Sequence, residues 1–221
     1  MTRGYWITAI ILTGLAWCLS IGVYPALPSR IPTHWNFQGE VDGWGDKTWA
    51  TFLVPGMMVG MLVLFAFLPA LSPRHFEVTT FRSTYLYIMV LTTAMFLYVH
   101  AVILLATWQE VRGGPKLFDL GRALIGGIFL FLALLGNVLG KVRRNFYIGI
   151  RVPWTLASDR VWNDTHRLAA WLLVVAGLAG CLLVLAGGNL ALALGLLISA
   201  FLIPIVYSFI HYKSLERSGA L

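Results

Sequence analysis

The sequence predicts an all-α integral membrane protein, a six-transmembrane-helix bundle with both termini in the cytoplasm. Of its 221 residues, 59% are hydrophobic and 11% are charged, whereas soluble domains carry about 25% charged residues. The mean hydropathy is +0.80, and apolar stretches long enough to cross a membrane recur along the chain. This composition excludes an ordinary soluble enzyme, a disordered chain and a disulfide-linked scaffold.

Six apolar stretches set the number of helices. A helix rises about 1.5 Å per residue, so crossing a hydrocarbon core about 30 Å thick takes about 20 residues. Stretches of that kind lie near Tyr5–Tyr24, Trp49–Leu71, Tyr85–Trp108, Leu117–Leu139, Leu168–Leu185 and Leu190–Ile210. Arg122 has to extend toward the interface, which allows a later start for the fourth span, at Ala123. The four residues 186–189 predict a tight turn, so the last two helices form an antiparallel hairpin.

The distribution of Lys and Arg among the loops predicts the orientation. The N-terminus, the loops at 72–84 and 140–167 and the C-terminal tail together hold 11 of these residues, and the alternate loops hold 5. Because basic residues concentrate on the cytoplasmic side of membrane proteins, both termini are expected inside the cell.

Polar residues within the spans are few. The middle of each span lacks Lys, Asp and Glu, which counts against a proton pump or an ion-coupled transporter. The main polar side chains there are Thr92, Thr93, His100, Asn137 and Ser208. Small residues four apart favour close helix packing, and they occur at Gly56/Gly60, Gly136/Gly140 and Ala191/Gly195/Ser199.

The first loop, residues 25–47, is predicted to be ordered and to lie outside the cell. Three prolines restrict its backbone, and glycines after them allow tight turns. Its candidate ligand-binding residues are His34, Trp35, Asn36, Glu40 and Asp42, and Asp46 offers a further carboxylate. No tight metal-ligand spacing is present, so no metal is assigned. Binding of a peptide or contact with lipid headgroups is favoured over metal binding.

The motif loop, residues 136–167, is predicted to be cytoplasmic. Pro153 ends an extended piece, and Thr155 or Ser158 is suited to cap a helix that continues into the fifth span. On that helix Trp162 and His166 stack four residues apart. A second face carries an ion-pair ladder of Arg160, Asp164 and Arg167.

Two alternatives describe the motif loop as a whole. Its six basic residues suit a simple membrane anchor with an interfacial Trp pair. Embedded polar residues instead predict a hydrogen-bonded cluster that closes this end of the bundle, formed by Asn137, Asn145, Thr155 and His166. We also expect a single packed unit of Arg151, Trp154, Trp162 and His166.

The motif loop resembles the signature of the SdpI family of bacterial membrane proteins. The residues that carry the resemblance are Gly136-Asn137, Arg144-Asn145, Gly149-Ile150-Arg151, Pro153-Trp154-Thr155-Leu156, Val161-Trp162 and Thr165-His166-Arg167. The first loop is similar to an N-terminal domain of unknown function that many members carry, on the basis of Leu27-Pro28, Ile31-Pro32, His34-Trp35-Asn36 and Gly39. The resemblance predicts an N-terminal helical hairpin at residues 1–71 and an SdpI-like four-helix region at 72–221.

The resemblance implies an immunity or receptor function in the bacterial plasma membrane. The family's best-known member protects a toxin-producing bacterium from its own secreted peptide and signals through a cytoplasmic repressor. The expected partners are therefore membrane lipids, a secreted peptide toxin and an ArsR-like repressor, without direct contact to nucleic acid and without a cofactor. Signalling would rest on Asn137, Arg144, Asn145, Arg151, Trp154, Thr155, Trp162, Thr165, His166 and Arg167.

Two other classes of function stay open at this stage. A small transporter or channel would need a polar pathway at the level of His100 and Asn137, and no inverted repeat supports it. A membrane-embedded enzyme would need a nucleophile with its base, a metal motif or a phosphate loop, and the sequence offers none of these patterns. We therefore expect a binding protein with no catalytic residues.

Overall fold

A computed structural model describes residues 2–36, 40–73, 76–113 and 117–221. Seven helices and two strands follow one another along the described chain. They are α1 (Thr2–Val23), β1 (Arg30–Trp35), β2 (Val41–Asp46), α2 (Lys47–Phe67), α3 (Arg82–Arg112), α4 (Leu120–Leu139), α5 (Pro153–Ala157), α6 (Asp159–Leu185) and α7 (Leu190–Ser218). Short 3-10 turns lie at Tyr24–Ala26, Leu68–Leu71 and Val78–Phe81.

The six predicted spans are confirmed: in the described part of the chain, six helices are long and apolar enough to cross a membrane. Their ends differ from the prediction where polar residues continue a helix beyond the apolar run. Helix α6 begins at Asp159 because Ser158 caps it, its Oγ accepting the Val161 N–H. Helix α4 begins at Leu120, between the two starts considered from the sequence.

The chain forms two compact units that alternate along the sequence. One unit comprises Met1–Phe65 and Met89–Gly127, and the other comprises Ala66–Ile88 and Ile128–Leu221. The division at residue 71 that the resemblance suggests stays a prediction.

Within the first unit, a buried serine joins α1, α2 and α3. Ser20 Oγ donates to the Thr51 carbonyl at 2.9 Å and lies 2.9 Å from His100 Nε2. All three residues are buried, and a buried polar group is costly without a partner. The His100 side chain therefore has a structural role in the interior of this unit. Sequence reasoning noticed His100 but missed Ser20, whose partners lie 31 and 80 residues away.

Within the second unit, α6 and α7 form the expected hairpin. The turn uses Gly187 at φ 79°, and the Asn189 side chain caps α7 by accepting the Leu192 N–H at 3.1 Å. Helix α4 packs closely on α6 at Gly177, where an added Cβ would lie 2.7 Å from Ala133 N and 2.8 Å from Phe129 O. Close approach of the two backbones therefore requires glycine at this position.

The small-residue pattern read from the sequence is confirmed only in part. Gly136 lies against α6, where an added Cβ would be 3.0 Å from the Ala170 carbonyl. At Gly56, Gly60 and Gly195, an added Cβ would meet nothing within 4 Å. Spacing alone did not distinguish these sites, because it does not show which helix face has a neighbour.

Replacing Gly177 with alanine should destabilise the protein. The new methyl group meets backbone atoms that cannot rotate away, and overpacking of this kind costs about 1 to 3 kcal/mol. The matched control is Gly195→Ala, which enters open space and adds helix propensity. Thermal unfolding in detergent should show a lower Tm for Gly177→Ala only, and equal Tm values would contradict the close α4–α6 contact.

The orientation can be tested with three exposed serines, since the lengths and composition of the helices do not fix it. In a background without Cys18 and Cys181, Ser29→Cys should react with an impermeant maleimide added to intact cells. Ser83→Cys and Ser218→Cys should react only after lysis, because positive-inside places them in the cytoplasm. All three side chains are exposed, so labelling of the last two in intact cells would invert the topology.

Candidate functional site

The first loop folds as an antiparallel β-hairpin. Strand β1 pairs with β2, from Arg30 opposite Asp46 at the base to Trp35 opposite Val41 near the tip, with irregular register around His34. Asn36 N–H donates to the Glu40 carbonyl at 2.9 Å at the end of the ladder. The sequence indicated an ordered loop but not strands, because its prolines and glycines are unusual within a sheet.

The tip of the hairpin brings four of the five predicted binding residues into two pairs. His34 Nδ1 lies 2.5 Å from Asp42 Oδ1, and the His34 side chain is 72% exposed. Asn36 Nδ2 donates to Glu40 Oε2 at 3.1 Å. The fifth residue, Trp35, is half-buried on β1. Gly39, which contributes to the family resemblance, lies outside the described residues.

The base of the hairpin has a structural role. Asp46 Oδ1 accepts the backbone N–H groups of Thr48 and Trp49 and so caps α2. Donation from Trp49 lowers the pKa of the Asp46 carboxyl group, because hydrogen bonds to a carboxylate favour its charged form. Lys47 Nζ donates to the carbonyls of Tyr24 and Leu27, at 3.3 and 2.9 Å. Asp46 was read from the sequence as a possible ligand, and its cap function was missed.

In the motif loop, Asn145 organises the backbone. It is fully buried, and its Oδ1 accepts the N–H groups of Tyr147 and Ile148 at 2.7 and 2.8 Å. Its Nδ2 donates to the carbonyls of Arg143 and Ile148 at 2.7 and 3.0 Å. One side chain therefore satisfies four backbone groups in a segment without regular secondary structure.

Thr155 and His166 hold the next part of the same segment. Thr155 Oγ1 accepts the Val152 N–H at 3.1 Å and donates to the Ile150 carbonyl at 2.8 Å. His166 Nε2 accepts the Ile150 N–H at 2.9 Å, and Nδ1 lies 2.8 Å from the Trp162 carbonyl. Because a carbonyl only accepts, the ring proton is on Nδ1. At Gly149, which has φ 117°, a side chain would overlap the His166 ring.

Three members of the predicted polar cluster therefore do meet in the structure, around residues 148–152. They are Asn145, Thr155 and His166. Asn137 does not belong to it, because its side chain is exposed on α4. Helical periodicity explains the difference: Gly136, its neighbour, faces α6, and the next position along a helix is turned about 100° away.

The predicted stacking of Trp162 on His166 is confirmed, with ring centroids 4.0 Å apart and an interplanar angle of 20°. The prediction that Arg151 and Trp154 join these two rings in one packed unit is wrong. Trp154 Nε1 instead donates to Ser208 Oγ at 2.5 Å, and its ring lies edge-on to Phe209 of α7. Arg151 donates to the Phe146 carbonyl from an exposed position. Trp154 therefore ties α5 to α7, whereas His166 ties the loop to α6.

The ion-pair ladder on α6 is also wrong. Asp164 Oδ2 lies 3.0 Å from His211 Nε2 on α7, and among the described residues Arg160 and Arg167 have no carboxylate partner. Arg144 Nε lies 2.9 Å from Asp159 Oδ1, and its Nη1 donates to the Leu156 carbonyl at 2.8 Å. Thr165 is buried, and no described group bonds its hydroxyl.

Two family models match this chain. Residues 141–208 match the SdpI/YfhL protein family, and residues 11–59 match DUF1648, a domain of unknown function. The resemblance to the SdpI family is confirmed. The chain is also 29% identical over 220 residues to a protein named Immunity protein SdpI from Bacillus subtilis (strain 168), covering 96% of this chain and 98% of that protein. No solved structure matches the present chain.

Each matched region contains one of the two ordered segments described above. The DUF1648 match contains the hairpin, and the SdpI match contains the loop held by Asn145, Thr155 and His166. Together with the six apolar helices, the similarity to Immunity protein SdpI over nearly its full length makes this a multi-pass protein of the bacterial plasma membrane.

Two double-mutant cycles should separate the contact of Trp162 with His166 from the contact of Trp154 with Ser208. His166→Leu leaves the Ile150 N–H without its acceptor, at a cost of about 1 to 3 kcal/mol. Because the rings touch, Trp162→Phe combined with His166→Leu should be non-additive by about 0.5 kcal/mol or more. Trp154→Phe, which removes the donor to Ser208, should add independently to His166→Leu. Thermal unfolding measures both cycles, and coupling between Trp154 and His166 would restore the single packed unit.

Proposed function

We propose that the protein is an immunity protein that neutralises a secreted antimicrobial peptide at the membrane and relays its presence to a cytoplasmic repressor. The observation that carries the proposal is the similarity to Immunity protein SdpI along nearly the whole of both chains. The two matched regions, each with an ordered polar loop, support a protein with two working surfaces. No catalytic role is proposed for any residue.

The net charge differs along the hairpin in a way that favours a cationic peptide. The base carries two cations and one carboxylate: Arg30 donates to the Trp44 carbonyl, Lys47 is bound to two backbone carbonyls, and Asp46 caps α2. The tip carries Glu40 and Asp42. An approaching peptide therefore meets carboxylates first, and complementary charge accelerates and orients such encounters.

The hairpin is also prepared for binding before a peptide arrives. The pairs of His34 with Asp42 and of Asn36 with Glu40 fix polar groups on a short ladder. A preorganised surface loses less conformational entropy on binding than a flexible loop. Trp44, whose side chain is 48% exposed on β2, adds an aromatic contact next to these groups.

For the relay, the motif loop supplies a surface with a fixed conformation. The Asn145, Thr155 and His166 contacts hold residues 145–152 in one backbone arrangement. The neighbouring Arg151 side chain is exposed and available to a soluble partner. Under this proposal the repressor recognises the displayed loop, and the buried residues keep its shape.

The direct test is expression of the chain in a strain that the peptide toxin kills. Cells carrying the gene should survive toxin concentrations that kill cells with an empty vector. Equal killing of both strains, at equal amounts of membrane-inserted protein, would refute the immunity function.

Within that assay, His34→Ala should weaken protection about tenfold. The substitution removes the charge-assisted hydrogen bond between the His34 ring and the Asp42 carboxylate, and the loss of such a bond costs about 1.5 kcal/mol or more. Asp42→Asn should have an effect in the same direction. Ser29→Ala, at an exposed position on the same loop, is the matched control and should protect normally. Full protection by the His34 variant would move recognition to the aromatic residues Trp35, Trp44 and Trp49.

A further inference from the structure

One face of α6 carries two arginines that form no ion pair with any carboxylate in the described part of the chain. Arg160 and Arg167 are seven residues apart, which is close to two full helical turns, so they lie above one another. Both are exposed. Between them in sequence lie Asn163 and Asp164, on either side of the same face.

The two carboxylates near this face contact side chains other than these arginines. Asp164 contacts His211 on α7, and Asp159 contacts Arg144. On the other side Asn163 Oδ1 accepts a hydrogen bond from Arg143, which brings a third exposed guanidinium near the same helix. The arginine face, formed by Arg143, Arg160 and Arg167, is therefore a concentrated positive surface. An orientation signal alone needs positive charge in the loop but no such arrangement.

Below the arginines, the same face of α6 is exposed and apolar. Trp171, Val175, Leu178 and Leu182 follow at helical spacing, and 64%, 47%, 47% and 71% of their surfaces are exposed. In a membrane protein an exposed apolar stripe contacts acyl chains. The arginine face thus lies at one end of a lipid-facing stripe.

The depth of the arginines matches that of lipid headgroups. After Arg167, residues 168–185 form an uncharged run to the end of α6, which spans about 27 Å and nearly fills a hydrocarbon core of about 30 Å. Arg167 therefore lies at the edge of the core, and Arg160 lies about 10 Å farther out. The stretch of α6 between Arg167 and Arg160 therefore lies at the depth of the lipid headgroups.

We propose that the arginine face binds the phosphate of an anionic phospholipid whose acyl chains lie along the stripe from Trp171 to Leu182. Guanidinium groups bind phosphate oxygens through paired N–H donors. The continuous apolar stripe favours a lipid over a free anion, because a soluble phosphate would gain nothing from it. The lipid would hold this end of α6, and with it the motif loop, at a fixed depth.

Native mass spectrometry of the full chain in detergent can test the proposal, with phosphatidylglycerol and phosphatidylcholine added in equal amounts. The unmodified protein should retain phosphatidylglycerol preferentially. Each of Arg160→Gln and Arg167→Gln should lower that retention about fivefold, and the pair about 25-fold, since a basic residue near an anionic lipid surface contributes about 1 kcal/mol. Replacement of both arginines by lysine keeps the charge but loses the paired N–H donors, so retention should fall, though less than in the glutamine pair.

The matched control is the double variant Arg122→Gln with Lys213→Gln. These two exposed cations already pair with Asp119 and Glu216, so their loss should leave phosphatidylglycerol retention unchanged. Unchanged retention in the arginine pair, or an equal loss in the control, would overturn the proposal. Displacement of the lipid by inorganic phosphate at the same concentration would also overturn it and assign the face to a free anion.

Discussion

The contact between the His166 ring and the Ile150 N–H is the interaction on which the motif loop depends. A loop at the end of a helical protein in a membrane contains backbone groups that neither a helix nor a strand satisfies, and burying them without partners is unfavourable. His166 can accept from the loop because its other nitrogen donates within α6, to the Trp162 carbonyl. The Trp162 ring then stacks on it and fixes its plane.

Other residues extend this arrangement to the rest of the second unit. Asn145 and Thr155 satisfy the loop on either side of Ile150. Trp154, one position before Thr155, reaches Ser208 on α7, beside the position where Pro204 interrupts the helical hydrogen bonding. A short run of residues thereby connects the loop to two helices. These contacts fix the conformation of the motif loop.

Much of the fold could be predicted from the sequence because membranes impose a simple rule. Hydrocarbon requires long apolar helices, so the six spans and the turn at 186–189 follow from composition and spacing. Contacts between neighbouring residues on one helix could also be predicted from the sequence, as the stacking of Trp162 on His166 shows. Partners distant along the chain could not, because periodicity gives a face but not what covers it. Ser208 for Trp154, His211 for Asp164 and Ser20 for His100 all belong to this group.

The sequence supplied the candidate residues of the first loop, whose binding role stays a prediction, but it did not supply their geometry. His34, Asn36, Glu40 and Asp42 were chosen for their chemistry, and the structure pairs them across a hairpin that the sequence did not indicate. Strand formation there depends on cross-strand pairing between residues such as Ile31 and Gly45, which no local pattern encodes. Asp46 and Lys47 were counted as loop charges, although their actual contacts are with backbone groups at the helix ends.

The way in which Lys47 closes the base of the hairpin has a consequence for how such proteins diversify. Its ammonium group joins the end of α1 to the start of α2 by binding carbonyl oxygens, which every amino acid provides. The described side-chain pairs of the tip are made within the hairpin itself. Substitutions at the tip can therefore accumulate without disturbing the membrane helices. A change of sequence at the tip would then leave membrane insertion and stability intact.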